Sequence, residues 1–168
     1  MDSLIQDALR LAAPAPTQEK GVELTHVKIT VIGVGGGGTN TVHRLTKMGL
    51  KSAETIAINT DANHLKMIDA NKRVLIGKNT TRGLGAGGFP EVGMKAAESN
   101  REELKQLIGS PELVFITAGM GGGTGTGAAP VVAQIAKESG AITVAMVTYP
   151  FALERARLDK ADWGLDQL

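Results

Sequence analysis

Three short windows of glycine carry the main chemical signal of this 168-residue chain. Gly33, Gly35, Gly36, Gly37 and Gly38 form the first. Gly83, Gly85, Gly87 and Gly88 form the second, and Gly119, Gly121, Gly122, Gly123, Gly125 and Gly127 the third. Together they hold 15 of the 22 glycines. Glycine needed only for turns would scatter, whereas clusters mark backbone at positive φ or backbone that something approaches closely. In the third window, Gly121-Gly122-Gly123-Thr124-Gly125-Thr126-Gly127, small residues at a predicted helix start leave backbone N–H groups accessible. Thr124 and Thr126 add hydroxyl donors. Free N–H groups at the positive end of a helix bind anions, phosphate above all. Two such helix starts facing one crevice suit a chain of phosphates better than a single pyrophosphate. None of the windows contains lysine and only Arg82 flanks them. Charge neutralisation therefore falls to N–H donors, helix dipoles and a bound Mg²⁺.

Two other phosphate chemistries compete. Gly33-Val34-Gly35-Gly36-Gly37-Gly38 satisfies G-x-G-x-x-G, and Asp61 sits near the spacing of a ribose-binding acid, so an NAD(P)-binding Rossmann domain of an oxidoreductase is an alternative. It leaves the third window unexplained. A P-loop fails on pattern: no G-x-x-x-x-G-K-[ST] occurs, and Lys78 follows Gly77 without the upstream glycine.

The elements that must position these windows follow from the apolar runs. Val27–Ile32, Thr55–Asn59, Val74–Ile76, Leu113–Ala118 and Ala141–Thr148 read as strands, the first a near-continuous β-branched run typical of a buried strand. Helices are expected from Thr39 to Met48, from Pro90 in one stretch to Ile108, from about Gly125 to Ser139, and from Leu153 onward. Strands alternating with helices predict an α/β fold, a doubly wound parallel sheet of five or more strands with helices on both faces. Such sheets bind ligands beyond the carboxyl ends of their strands. The first and third windows fall at those ends and the second precedes the Pro90 helix.

Composition narrows the function classes. With no cysteine, disulfide scaffolds, thiolate zinc sites and thiol nucleophiles are excluded. A net charge of +1, from 18 basic and 17 acidic residues, provides no basic field for nucleic acid. An aromatic content of 3% leaves few rings for base stacking. No apolar stretch reaches membrane-spanning length and the start lacks the form of an export signal, which predicts a cytoplasmic chain without direct membrane insertion. Residues 1–20 read as an extension, a short amphipathic helix followed by the linker Ala13–Lys20. Residues 21–168 read as one domain. An apolar stripe running to Leu168 with no capping residue after it predicts that this domain stops near the end of its last helix.

Gly119-Met120-Gly121-Gly122-Gly123-Thr124-Gly125-Thr126-Gly127-Ala128-Ala129-Pro130 resembles the signature of the tubulin/FtsZ superfamily in its FtsZ form. Gly33 to Asn40 resembles the family's first phosphate loop and Asn59-Thr60-Asp61-Ala62 its next loop. Gly83 to Gly93 resembles the loop that senses the terminal phosphate, and Pro150-Phe151-Ala152-Leu153-Glu154 the ribose-contact loop. Glu154-Arg155-Ala156-Arg157 is similar to archaeal members. The resemblance implies GTP or GDP as ligand, with Mg²⁺ held through the phosphates. It implies phosphate contacts from Gly35, Gly36, Gly37, Gly38, Thr39, Gly121, Gly122, Gly123, Thr124, Gly125 and Thr126, and γ-phosphate contacts from Ala86, Gly87 and Gly88. Asn40 would reach the guanine, Glu154 and Arg157 the ribose side, and Asp61 the nucleotide from the second loop. No catalytic residue and no metal ligand is assigned within the chain. In the family a second domain carries an acidic loop that completes the neighbouring subunit's site in a head-to-tail filament, at the division site and tethered indirectly to membrane. The chain itself is expected to bind guanine nucleotide weakly and to hydrolyse it negligibly.

Plainer roles stand beside these. Asp61 is equally a cap for the short helix after it. His26, His43 and His64 lack metal-ligand spacing and read as surface or packing residues. Arg155, Arg157 and Lys160 read as a solvated helix face, and Met94 and Met120 as packing. A paralogue keeping the fold without nucleotide is the third possibility.

Overall fold

The computed structural model describes residues 27–168, so the expected N-terminal helix and linker, and His26, lie outside the described residues. Five strands, β1 (Ile29–Val34), β2 (Glu54–Asn59), β3 (Lys72–Leu75), β4 (Leu113–Gly119) and β5 (Ile142–Thr148), form one parallel sheet in the order β3-β2-β1-β4-β5. The helices are α1 (Gly35–Lys47), α2 (Ala62–Lys66), α3 (Lys78–Thr81), α4 (Pro90–Ser99), α5 (Arg101–Ile108), α6 (Thr124–Glu138) and α7 (Arg155–Gln167). The step from β1 to β2 runs one way across the sheet and the step from β4 to β5 the other. Right-handed crossovers therefore put α1 and α6 on opposite faces. Central strands covered on both sides need apolar residues at successive positions, and Ile32, Val34, Ile56, Ala57, Ile58, Val114 and Ile116 are fully buried.

The expected elements are present, with shifted bounds. α1 begins at Gly35 rather than Thr39, so the first glycine window forms the opening turn of the helix. Glycine is a poor helix former, but tertiary packing overrides that preference here. A side chain on Gly38 would run into the Thr117 carbonyl of β4, so only glycine lets α1 lie this close to the sheet. The expected long helix from Pro90 to Ile108 is two helices, broken at Asn100. The Asn100 side chain accepts from Gly77 N (2.8 Å) and donates to Glu103 (2.6 Å), local bonding that competes with helical continuation. β3 starts at Lys72 because its register against β2 runs from Ile56–Lys72 to Asn59–Leu75.

Candidate functional site

The sheet register aligns the strand ends. Val34 of β1 lies beside Ile58 of β2 and Ala118 of β4, and Gly119 beside Thr148 of β5. The chain leaves each of these strands at the same edge of the sheet, where α1 and α6 begin. Neither helix start has a side-chain cap or an acidic residue in its first turn. By contrast α4 carries Glu91 there and α5 carries Glu102 and Glu103. Unlike α4 and α5, these two starts have no acid to answer their N–H groups and positive ends.

An open cleft of about 740 Å³ lies against both starts. It is lined by Gly36 and Gly37 of α1, Gly119 to Gly125 of the third window apart from Gly121, Thr148 at the end of β5 with Tyr149 to Phe151 after it, and Glu154 and Arg157. Arg157 donates to Glu154 Oε2 (2.9 Å), and Glu154 Oε1 accepts from Phe151 N (3.3 Å), so the ion pair is pinned to the cleft's rim. A second cleft, about 530 Å³ between α4 and α6, contains none of the residues expected from sequence.

The glycines divide by what a side chain would meet. Gly35, at φ +70°, would place a Cβ 2.6 Å from Gly125 N, and Gly123 would place one 2.8 Å from Ala86 Cβ. These contacts press the three windows together. Gly36 and Gly122 differ: a Cβ on Gly122 meets nothing within 4 Å and one on Gly36 meets only His64 Cε1 at 3.9 Å. Neither has positive φ. Nothing among the described residues requires glycine at these two positions, and both line the cleft. The backbone there is bare toward a ligand.

The second window lies beside the cleft rather than in its lining. Gly85 N donates to Thr60 O (3.1 Å), Ala62 N to Gly83 O (2.9 Å), and Lys160 Nζ to Gly88 O (2.6 Å), with the ammonium 5.6 Å from the Phe89 ring centre. Lys160, read from sequence as solvated, instead clasps this loop from α7. Gly87 is exposed and Gly88 half-buried.

Other expected contacts are differently placed. Thr39, Thr124 and Thr126 are buried. Thr39 donates to Gly35 O (2.8 Å), Thr124 and Thr60 share a hydrogen bond (2.6 Å), and Thr126 Oγ1 accepts from Gly121 N (2.9 Å). Of the threonine hydroxyls expected as ligand donors, Thr39 spends its proton inside the protein, Thr126 accepts, and Thr124, which also lines the cleft, shares its bond with Thr60. Asp61 caps α2, with Oδ1 accepting from Asn63 N (2.9 Å) and His64 N (3.0 Å). Asn40, four residues after Gly36 and so on the same face of α1, is exposed and bonded to His64. Tyr149 lines the cleft and donates to Asp162 (2.6 Å), a bond that raises its phenol pKa because ionisation would place two anions together. Sequence reasoning missed Tyr149, Lys160 and His64, since their partners lie 13, 72 and 24 residues away.

The description Tubulin/FtsZ family, GTPase domain, matches residues 28–168. The chain is 54% identical over 165 residues to Cell division protein FtsZ 2 of Methanocaldococcus jannaschii, covering 98% of this chain and 43% of that protein. It is 51% identical to the protein of the same name from Halobacterium salinarum, over 100% of this chain and 44% of the relative. It therefore spans less than half the length of these relatives. Among solved structures, an empty FtsZ dimer of M. jannaschii superposes with a TM-score of 0.83 at 48% identity, over 99% of this chain and 45% of that one. A GDP-bound CetZ1 monomer from Haloferax volcanii does so at 0.76 and 26% identity, over 84% and 47%.

Proposed function

Given that the chain belongs to the Tubulin/FtsZ family, GTPase domain, we propose that it is the guanine-nucleotide-binding part of an FtsZ-type polymerising GTPase of cell division. The observation that carries the assignment is the bare backbone of Gly36 and Gly122 at two uncapped helix starts. Phosphate oxygens accept from such N–H groups without a side chain in the way. The diphosphate lies against Gly36, Gly37, Gly38, Gly123, Thr124 and Gly125, with Gly35, Thr39, Gly121 and Thr126 shaping the two turns. Ala86, Gly87 and Gly88 meet the terminal phosphate of GTP, and Glu154 and Arg157 the ribose side. Asn40 faces the base. A GDP-bound and a GTPγS-bound relative of the same fold support guanine as the base.

Among the described residues no group of three His, Asp or Glu side chains is placed to hold a metal. Mg²⁺ is accordingly proposed to bind through the phosphates, where it would offset their charge. Hydrolysis requires groups from a neighbouring subunit, in a head-to-tail filament whose open symmetry suits a polymer. That assembly works in the cytoplasm at the division site, joined to membrane through other proteins. The dinucleotide alternative leaves the third window unexplained, and in Asp61, its expected ribose-binding acid, Oδ1 is engaged in the cap of α2.

Fluorescent GDP, but not NADH, is expected to bind the purified chain, with negligible GTP turnover. Gly122→Val is the informative variant, because Gly122 lines the cleft and a Cβ there meets nothing within 4 Å. It should abolish binding and leave the melting temperature nearly unchanged. A Gly122→Val chain that still binds GDP would exclude this cleft as the phosphate site.

A further inference from the structure

Resting on the guanine-nucleotide reading, we infer that His64 is a positioning residue that turns the Asn40 side chain so that it offers only hydrogen-bond donors to the base. Asn59, at the end of β2, is buried, and its Oδ1 accepts from Thr60 N (2.8 Å) and Asp61 N (3.2 Å). Two backbone N–H donors admit only the oxygen on that side, so the amide cannot be turned over. The Asn59 Nδ2 group therefore points at His64, 3.0 Å from Nδ1. An amide nitrogen only donates, so Nδ1 accepts and carries no proton. The other contact to Nδ1 is longer: Thr39 Oγ1 lies at 3.4 Å and, with its proton directed at Gly35 O (2.8 Å), could only accept there, so the 3.0 Å contact from Asn59 Nδ2, which can only donate, decides the ring.

With Nδ1 bare, the neutral imidazole holds its proton on Nε2. Nε2 lies 3.0 Å from Asn40 and, as a donor, requires the amide oxygen there. Asn40 Oδ1 is then turned toward the ring, and the Nδ2 group is the end left to face outward. Two N–H bonds fixed by the backbone turn at residues 59–61 thus decide which end of an exposed amide meets the ligand. The His64 backbone N–H, held at 3.0 Å by the Asp61 cap, sets the ring's position at the start of α2. Its Cε1 edge borders Gly36, which places the relay alongside the phosphate turn. A donor-only Asn40 favours a base edge presenting acceptors at that point, such as guanine O6 and N7. It disfavours one presenting an amino group.

The 168-residue chain and three substitutions test this. His64→Ala should weaken fluorescent GDP binding roughly three- to ten-fold, the usual worth of one hydrogen bond. His64→Gln, which accepts with its oxygen and donates with its nitrogen, should recover affinity to within about twofold of the parent. In an Asn40→Ala background, His64→Ala should cause no further loss. Nitrogen NMR of the ligand-free chain should show His64 with a bare Nδ1 and a protonated Nε2. Equal losses in both backgrounds, a Gln variant as weak as Ala, or a protonated Nδ1 would each overturn the role of His64 while leaving nucleotide binding standing. Absence of GDP binding by the unsubstituted chain would instead remove the proposed function, and the positioning role with it.

Discussion

Tyr149 is the only tyrosine of the chain, which makes its ionisation directly observable. Its bond to Asp162 favours the neutral phenol, with desolvation a lesser cause in the same direction. The sign follows: the bond contributes to stability below the unfolded tyrosine value of about 10 and is lost as pH rises through the higher folded value. An ultraviolet titration should therefore place the tyrosinate transition above that of the unfolded chain, and Asp162→Asn should lower it. A transition unmoved by that change would mean the bond does not persist in solution. The residue also shows what spacing can hide. Tyr149 and Asp162 stand at the end of β5 and on α7, and only the turn through Pro150 to Glu154 brings them together across the cleft's rim.

At the scale of elements, the five-residue α2 is too short to persist by propagation and depends on its cap. Asp61→Ala should cost about 1 kcal/mol in urea denaturation, the usual worth of an N-cap side chain. Asp61→Asn, which retains a capping oxygen, should restore most of it. Asp61→Asn should also bind GDP as the parent chain does, because the cap needs the oxygen and not the charge; weaker binding would mean that the carboxylate acts on the ligand as well. α1 and α6 are the opposite case. Their starts have no side-chain cap, and their place is set by how closely glycine lets them sit against β1, β4 and each other. The strand–helix alternation was legible from periodicity because each buried strand is an unbroken apolar run. The break at Asn100 was not, since its cause is the Gly77 N–H, 23 residues earlier.

For the whole molecule, the sheet is unevenly covered. β5 is an edge strand, and Ile142, Val144 and Met146 on one of its faces are 70%, 38% and 63% exposed. An apolar, unpaired edge associates with other chains unless charged or covered. Replacing Met146 with Lys should reduce concentration-dependent self-association in light scattering without altering GDP affinity. Unchanged scattering would mean that this face does not drive association. No helix among the described residues is long and apolar enough to cross a membrane.

The amino-acid sequence by itself determined the alternation of strands and helices, the parallel sheet and the clustering of glycine at two strand ends. Each of these is written in local pattern: side-chain period, β-branching and the position of small residues. Tertiary structure decided which glycines are packing and which are bare. Gly35, Gly38, Gly123 and Gly125 admit neighbouring backbone, whereas Gly36 and Gly122 admit only something from outside. It also decided that Thr39 and Thr126 bond within their own turns and that His64 reaches Asn40. A residue's type states which bonds it can make. Which partner arrives depends on chain brought in from elsewhere by the sheet.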